Sequence, residues 1–81
     1  MKEKEITIVV NGTEHTLDGE ELTFEQLVEI AYGHPPEGGT IVYSITYERA
    51  HGNKPEGDLA PGESLKLKKE MLINVERTDR S

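Results

Sequence analysis

The residues of this chain whose types could do chemistry are few. His15, His34 and His51 offer three imidazoles for a metal or for proton transfer. They stand far apart in sequence, in a hairpin, beside prolines and in a Gly/Pro-rich stretch, without the close ligand spacings of metal sites. The chain has no cysteine, which removes thiolate ligands, thiol nucleophiles, disulfides and redox switching together. Hydrolysis would need a nucleophile, a base and an orienting group converging in a pocket, and no segment suggests that set. The glycines at Gly38-Gly39, Gly52 and Gly57 lack the Gly-x-x-x-x-Gly-Lys-Ser/Thr pattern of a phosphate loop. No metal, no cofactor and no enzymatic activity are therefore expected. Six lysines remain as amine nucleophiles, and most read as solvated surface charge.

The charge balance narrows the partners. Nine Lys and Arg stand against 16 Asp and Glu, a net charge of −7, so nucleic acid and anionic membrane surfaces would repel the chain before any specific contact formed. No apolar run approaches the roughly 20 residues that span a bilayer. The opening Met1-Lys-Glu-Lys-Glu5 passes straight into an alternating segment, unlike a secretory signal, which gives the expectation of a cytoplasmic protein. At 81 residues the chain has room for one domain, 1–81, with 1–4 as an N-terminal extension and 77–81 as a C-terminal tail. There is no internal repeat and no low-complexity segment.

The elements follow from hydrophobic periodicity. Ile6, Ile8 and Val10 alternate with Glu5, Thr7 and Val9, the period of a half-buried strand. Asn11-Gly12 then suits a type I′ turn, so His15–Leu17 should return antiparallel, with Val10 facing Thr13, Ile8 facing His15 and Ile6 facing Leu17. Thr23 and Gln26 form a capping box for a helix starting near Phe24. Phe24, Leu27, Val28 and Ala31 give that helix one apolar stripe, which must lie on a sheet because nine residues are too few to be helical alone. Gly33 and Pro35-Pro36 end it.

Thr40–Tyr47 reads as a third strand, with Ile41, Tyr43, Ile45 and Tyr47 on one face. Residues 48–63, rich in Gly and Pro, read as a long loop with a short turn around Asp58-Leu59. Leu65 and Leu67 mark a fourth strand and Met71, Ile73 and Val75 a fifth, joined by a turn at Lys69-Glu70. The fold class is α+β, a mixed sheet of about five strands in the order ββαβββ covered by one helix. A right-handed crossover puts the first and last strands side by side and parallel, as in a β-grasp.

At this level the sequence resembles a known family. Ile6-Thr-Ile-Val-Val-Asn-Gly12, Phe24-Glu-Gln-Leu-Val-Glu-Ile-Ala-Tyr32, Val42-Tyr-Ser-Ile-Thr-Tyr47, Lys54-Pro-Glu-Gly57, Pro61-Gly62 and Ile73-Asn-Val75 are similar to the bacterial multi-ubiquitin domains, over about residues 5 to 81. The Lys54–Gly62 segment and the ending from Ile73 to Ser81 are its most specific parts. The resemblance implies a ubiquitin-like β-grasp acting as a bacterial protein modifier. Its partners would be an activating enzyme, a conjugating enzyme, a deconjugating peptidase and target proteins. It also implies a conjugation tail at Thr78, Asp79, Arg80 and Ser81, where the carboxylate of Ser81, or of a residue exposed by trimming within the tail, would be adenylated with ATP. Lys54 is the first candidate acceptor lysine. The sequence ends Arg77-Thr-Asp-Arg-Ser81, without the Gly-Gly that gives ubiquitin a thin, extended tail. A sulfur carrier would need the same glycines, whereas a non-covalent interaction or self-assembly module would not.

The sheet face away from the helix supplies the remaining candidate. Alternation sends Val9, Val42 and Leu72 outward on the first, third and fifth strands, where they would form a small apolar partner-binding patch, similar in position to the partner-binding face of ubiquitin.

Overall fold

A computed structural model describes residues 5–36, 39–50 and 55–79. The elements, in chain order, are β1 (Glu5–Val10), β2 (Thr13–Asp18), β3 (Glu21–Thr23), α1 (Phe24–Tyr32), β4 (Ile41–Glu48), β5 (Gly57–Leu59), β6 (Ser64–Lys66) and β7 (Leu72–Asp79). Five strands make one sheet in the order β2-β1-β7-β4-β5, and β3 pairs with β6 in a second, two-stranded sheet. β1 and β7 run parallel at the centre, and every other pair is antiparallel. One helix covers one face of a mixed sheet, the β-grasp arrangement expected from the order of elements.

The β1–β2 hairpin has the anticipated register, with Val10 opposite Thr13, Ile8 opposite His15 and Ile6 opposite Leu17. Its turn is built on Asn11 at φ 52° and Gly12 at φ 83°, the two positive angles that a I′ turn demands. At the start of α1, the Gln26 amide donates to the Thr23 hydroxyl at 3.1 Å and the Thr23 amide donates to Gln26 Oε1 at 2.9 Å. Gly33 closes the helix in the left-handed conformation, its amide donating to the Glu29 carbonyl at 2.7 Å.

Phe24, Leu27 and Val28 of α1 are buried against Ile8, Val10, Tyr43, Ile45, Ile73 and Val75 of the central strands. Leu65, Leu67 and Met71 complete the core along one side. Every residue buried in the described part of the chain is hydrophobic, so the core gains its stability from apolar area alone.

Three expectations need correction. First, residues 48–63 are not one loop. Gly57–Leu59 form β5, antiparallel to the end of β4, with Tyr47 opposite Gly57 and Ile45 opposite Leu59. Buried Leu59 anchors this strand, and the absent side chain of Gly57 makes room for Tyr47, since a Cβ there would lie 2.7 Å from the Tyr47 hydroxyl oxygen. Second, the Leu65 strand leaves the main sheet and pairs with β3, a three-residue strand that its mixed Glu-Leu-Thr composition did not reveal. Third, the segment from 77 is not wholly a tail. β7 continues through Arg77, Thr78 and Asp79, which pair with Tyr43, Val42 and Ile41, because β4 is as long as β7 and holds these exposed residues in the ladder.

Candidate functional site

The sheet places its side chains on two faces by strict alternation. Val9 and Leu72 are register partners across the parallel β1–β7 pair, both half-buried on the face away from α1. Val42 lies on the same face of β4 and is the exposed large hydrophobic among the described residues, at 37%. It does not join them. Val42 pairs with Thr78 whereas Leu72 pairs with Glu48, so the two sit six residues apart along β7, roughly 20 Å. The expected three-residue patch is thus an adjacent Val9–Leu72 pair and a separate Val42 at the far end of the β4–β7 ribbon.

Around the Val9–Leu72 pair the twisted sheet and the β4–β5 corner leave an open groove of about 550 Å³, lined also by Asn74, Glu48, Glu56 and Asp58. Register puts Glu14 beside Val9 on β2 and Glu48 beside Leu72 on β4. One row therefore crosses four strands as acid, aliphatic, aliphatic, acid.

β7 is the last element described, and the middle of that strand is held in an unusual way. The amide and carbonyl of Val75 face the β1 side, where β1 has already given way to its turn. The side-chain amide of Asn11 takes over: Val75 N–H donates to Asn11 Oδ1 at 2.8 Å, and Asn11 Nδ2 donates to the Val75 carbonyl at 3.1 Å. Asn11 N–H also donates to the Ile73 carbonyl at 2.9 Å, and the Tyr32 hydroxyl donates to the Val75 carbonyl at 2.9 Å. One asparagine thus shapes the turn and extends the parallel ladder by a rung. The Asn-Gly pair in the sequence signals only the first of these roles.

Beyond this clamp, Thr78 and Asp79 of the expected conjugation tail are exposed in β7. Arg80 and Ser81, the candidate acceptor Lys54, His51 and the 1–4 extension lie outside the described residues. His15 sits half-buried in β2, and His34 sits past the helix end with its ring centroid 6.4 Å from that of Tyr32. Among the described residues no group of three His, Asp or Glu side chains is placed to hold a metal ion, and no helix is long and apolar enough to cross a membrane.

The model of the multiubiquitin family matches residues 6–79. The chain belongs to the multiubiquitin family. No curated protein and no solved structure gives a significant match. The matched span of this multiubiquitin domain takes in the Val9–Leu72 groove, the Asn11 clamp and the capping box, and it stops at Asp79, the last residue of β7.

Proposed function

We propose that this multiubiquitin domain is a bacterial, cytoplasmic protein modifier. The carboxylate at the end of the segment following β7 attacks the α-phosphate of ATP on a cognate activating enzyme, releasing pyrophosphate and leaving an acyl-adenylate. A nucleophile of the conjugating machinery displaces AMP, and a nucleophile on the target protein then takes the acyl group. A deconjugating peptidase reverses the attachment. The observation that carries this reading is the family match across residues 6–79. It is supported by the position of β7, a central strand clamped at Val75 whose last four residues, Glu76 to Asp79, are exposed. The test is the intact mass of the protein from its native host, with peptide mapping of heavier species that survive denaturation. A branched peptide joining the segment after Val75 to another protein is the expected result.

A second reading, a non-covalent interaction module that is never conjugated, draws on a different observation. Thr78 and Asp79 are laddered against Val42 and Ile41, so an activating enzyme could not thread them without first opening those rungs. Recovery of unmodified chain alone, with the activating and conjugating enzymes expressed, would favour this reading and reject the first.

A further inference from the structure

The outer face of the sheet carries one sign of charge. On the strand positions that share the face of Val9 and Leu72 stand Glu5, Glu14, Asp18, Glu48, Asp58 and Glu76. Among the described residues no Lys or Arg occupies this face of a strand. The other positions there are Val9, Val42, Leu72, Asn74, Ser44 and threonines. Fixed carboxylates of a single sign around a concave floor concentrate field in the groove and attract cations. They do not by themselves select one, and selection comes from the floor.

We infer that the Val9–Leu72 groove receives an extended basic segment of a partner protein, in which two cationic side chains flank an aliphatic one at alternate positions. The spacing follows from strand geometry. Glu14, Val9, Leu72 and Glu48 form one row across β2, β1, β7 and β4, and three strand spacings put the two acidic positions about 14 Å apart. An extended peptide carries residues i, i+2 and i+4 on one side, with i and i+4 about 13 Å apart. Lys-x-Leu-x-Lys laid along the row therefore sets its leucine over Val9 and Leu72 and its lysines at Glu14 and Glu48. Glu56 and Asp58 at the groove wall extend the acidic rim toward β5.

A second copy of this chain is the weaker occupant. A cleft walled by Lys66, Lys68 and Lys69 offers cations, but Glu5 and Glu20 line it too, and each molecule carries a net charge of −7, so that two such molecules repel at long range. The inference goes beyond the proposed modification and does not rest on it. Binding needs neither ATP nor a free C-terminus, so failure of one leaves the other standing.

The test is an amide NMR titration of the unmodified chain with a serine peptide carrying Lys-Ser-Leu-Ser-Lys at its centre. Two control peptides replace both lysines by glutamate or the leucine by serine. The expected result is a saturable shift of the Val9, Glu14, Thr46, Glu48 and Leu72 amides with the first peptide. The serine control should bind at least about fivefold more weakly, the loss of roughly one contact, and the glutamate control more weakly still, since it reverses both charges. Glu48→Lys and Glu14→Lys, both at exposed sites where folding is undemanding, should weaken binding by about fivefold or more. Glu29→Lys on the exposed side of α1 should change it less than about twofold. The inference is overturned if no saturable shift occurs at about millimolar peptide, or if the glutamate peptide binds equally well. It is overturned equally by shifts centred on the Lys66–Lys69 cleft, or by shifts that follow protein concentration and so report self-association.

Discussion

The two faces of the five-stranded sheet are made by the same strands, yet they have opposite physical characters. On the inner face Ile8, Val10, Ile45, Ile73 and Val75 are at most 2% exposed and lie under α1 with no buried charged residue beside them. On the outer face the aliphatic residues are only Val9, Leu72 and Val42, set among carboxylates. Alternation therefore separates two roles: even positions of β1 and odd positions of β4 and β7 hold the fold together, and their immediate neighbours face outward. Solubility and folding constrain the outer face weakly. A face whose charged strand positions are all acidic, with an aliphatic pair among them, is more specific than those two demands require.

The division can be broken most severely from the helix. Leu27 is fully buried between α1 and the sheet, so Leu27→Ala should cost about 2–5 kcal/mol in urea unfolding, the transfer term plus the cavity left behind. Ser44→Ala on the outer face should stay within about 0.5 kcal/mol. An equal response at the two positions would mean that the faces do not differ in the way described.

The next effect belongs to the edge between the faces. Asn11→Gly preserves the positive φ of the turn but removes both side-chain hydrogen bonds to Val75. We expect a loss of about 1–3 kcal/mol, the cost of leaving a partly buried backbone donor without its partner. Amide exchange should quicken at Val75 before it does at Ile8. Smaller still is Gly57→Ala, which brings a Cβ to within 2.7 Å of the Tyr47 hydroxyl and should cost about 1 kcal/mol as Tyr47 swings aside. In a Tyr47→Phe background the closest atom is gone, so the same substitution should cost less. An unchanged cost across that double-mutant cycle would place the clash in the backbone instead.

Periodicity made the inner face legible in the sequence. The alternation of Ile6, Ile8 and Val10, the stripe from Phe24 to Ala31 and the Thr23–Gln26 box placed β1, α1 and the hairpin register before any coordinates. What escaped was non-local. β3 and β5 are three residues each, too short for a period to show, and their positions depend on a partner strand distant in sequence. The outward direction of Val9, Val42 and Leu72 could be read from alternation, but the register of β7 on β4, which separates Val42 from Leu72, could not. The acidic row required that register as well, since Glu14 lies beside Val9 by the hairpin register but Glu48 becomes a neighbour of Leu72 only through the β4–β7 pairing.

The smallest effect sharpens the account of the inner face. Tyr43 lies there at 7% exposure, its ring centroid 5.8 Å from that of Tyr32, and its buried hydroxyl has no hydrogen-bond partner among the described residues. Tyr32 differs, since its hydroxyl reaches the Val75 carbonyl. Removing an oxygen that lost water on folding and gained no protein partner should cost nothing and recover part of its desolvation. Tyr43→Phe is therefore expected to leave stability unchanged or raise it by up to about 1 kcal/mol. Tyr32→Phe should lose about 1 kcal/mol for its bond to Val75. Thermal unfolding of the two variants side by side decides the matter. If Tyr43→Phe is the more damaging, that hydroxyl has a partner within the fold and the inner face is less purely apolar than its alternation implies.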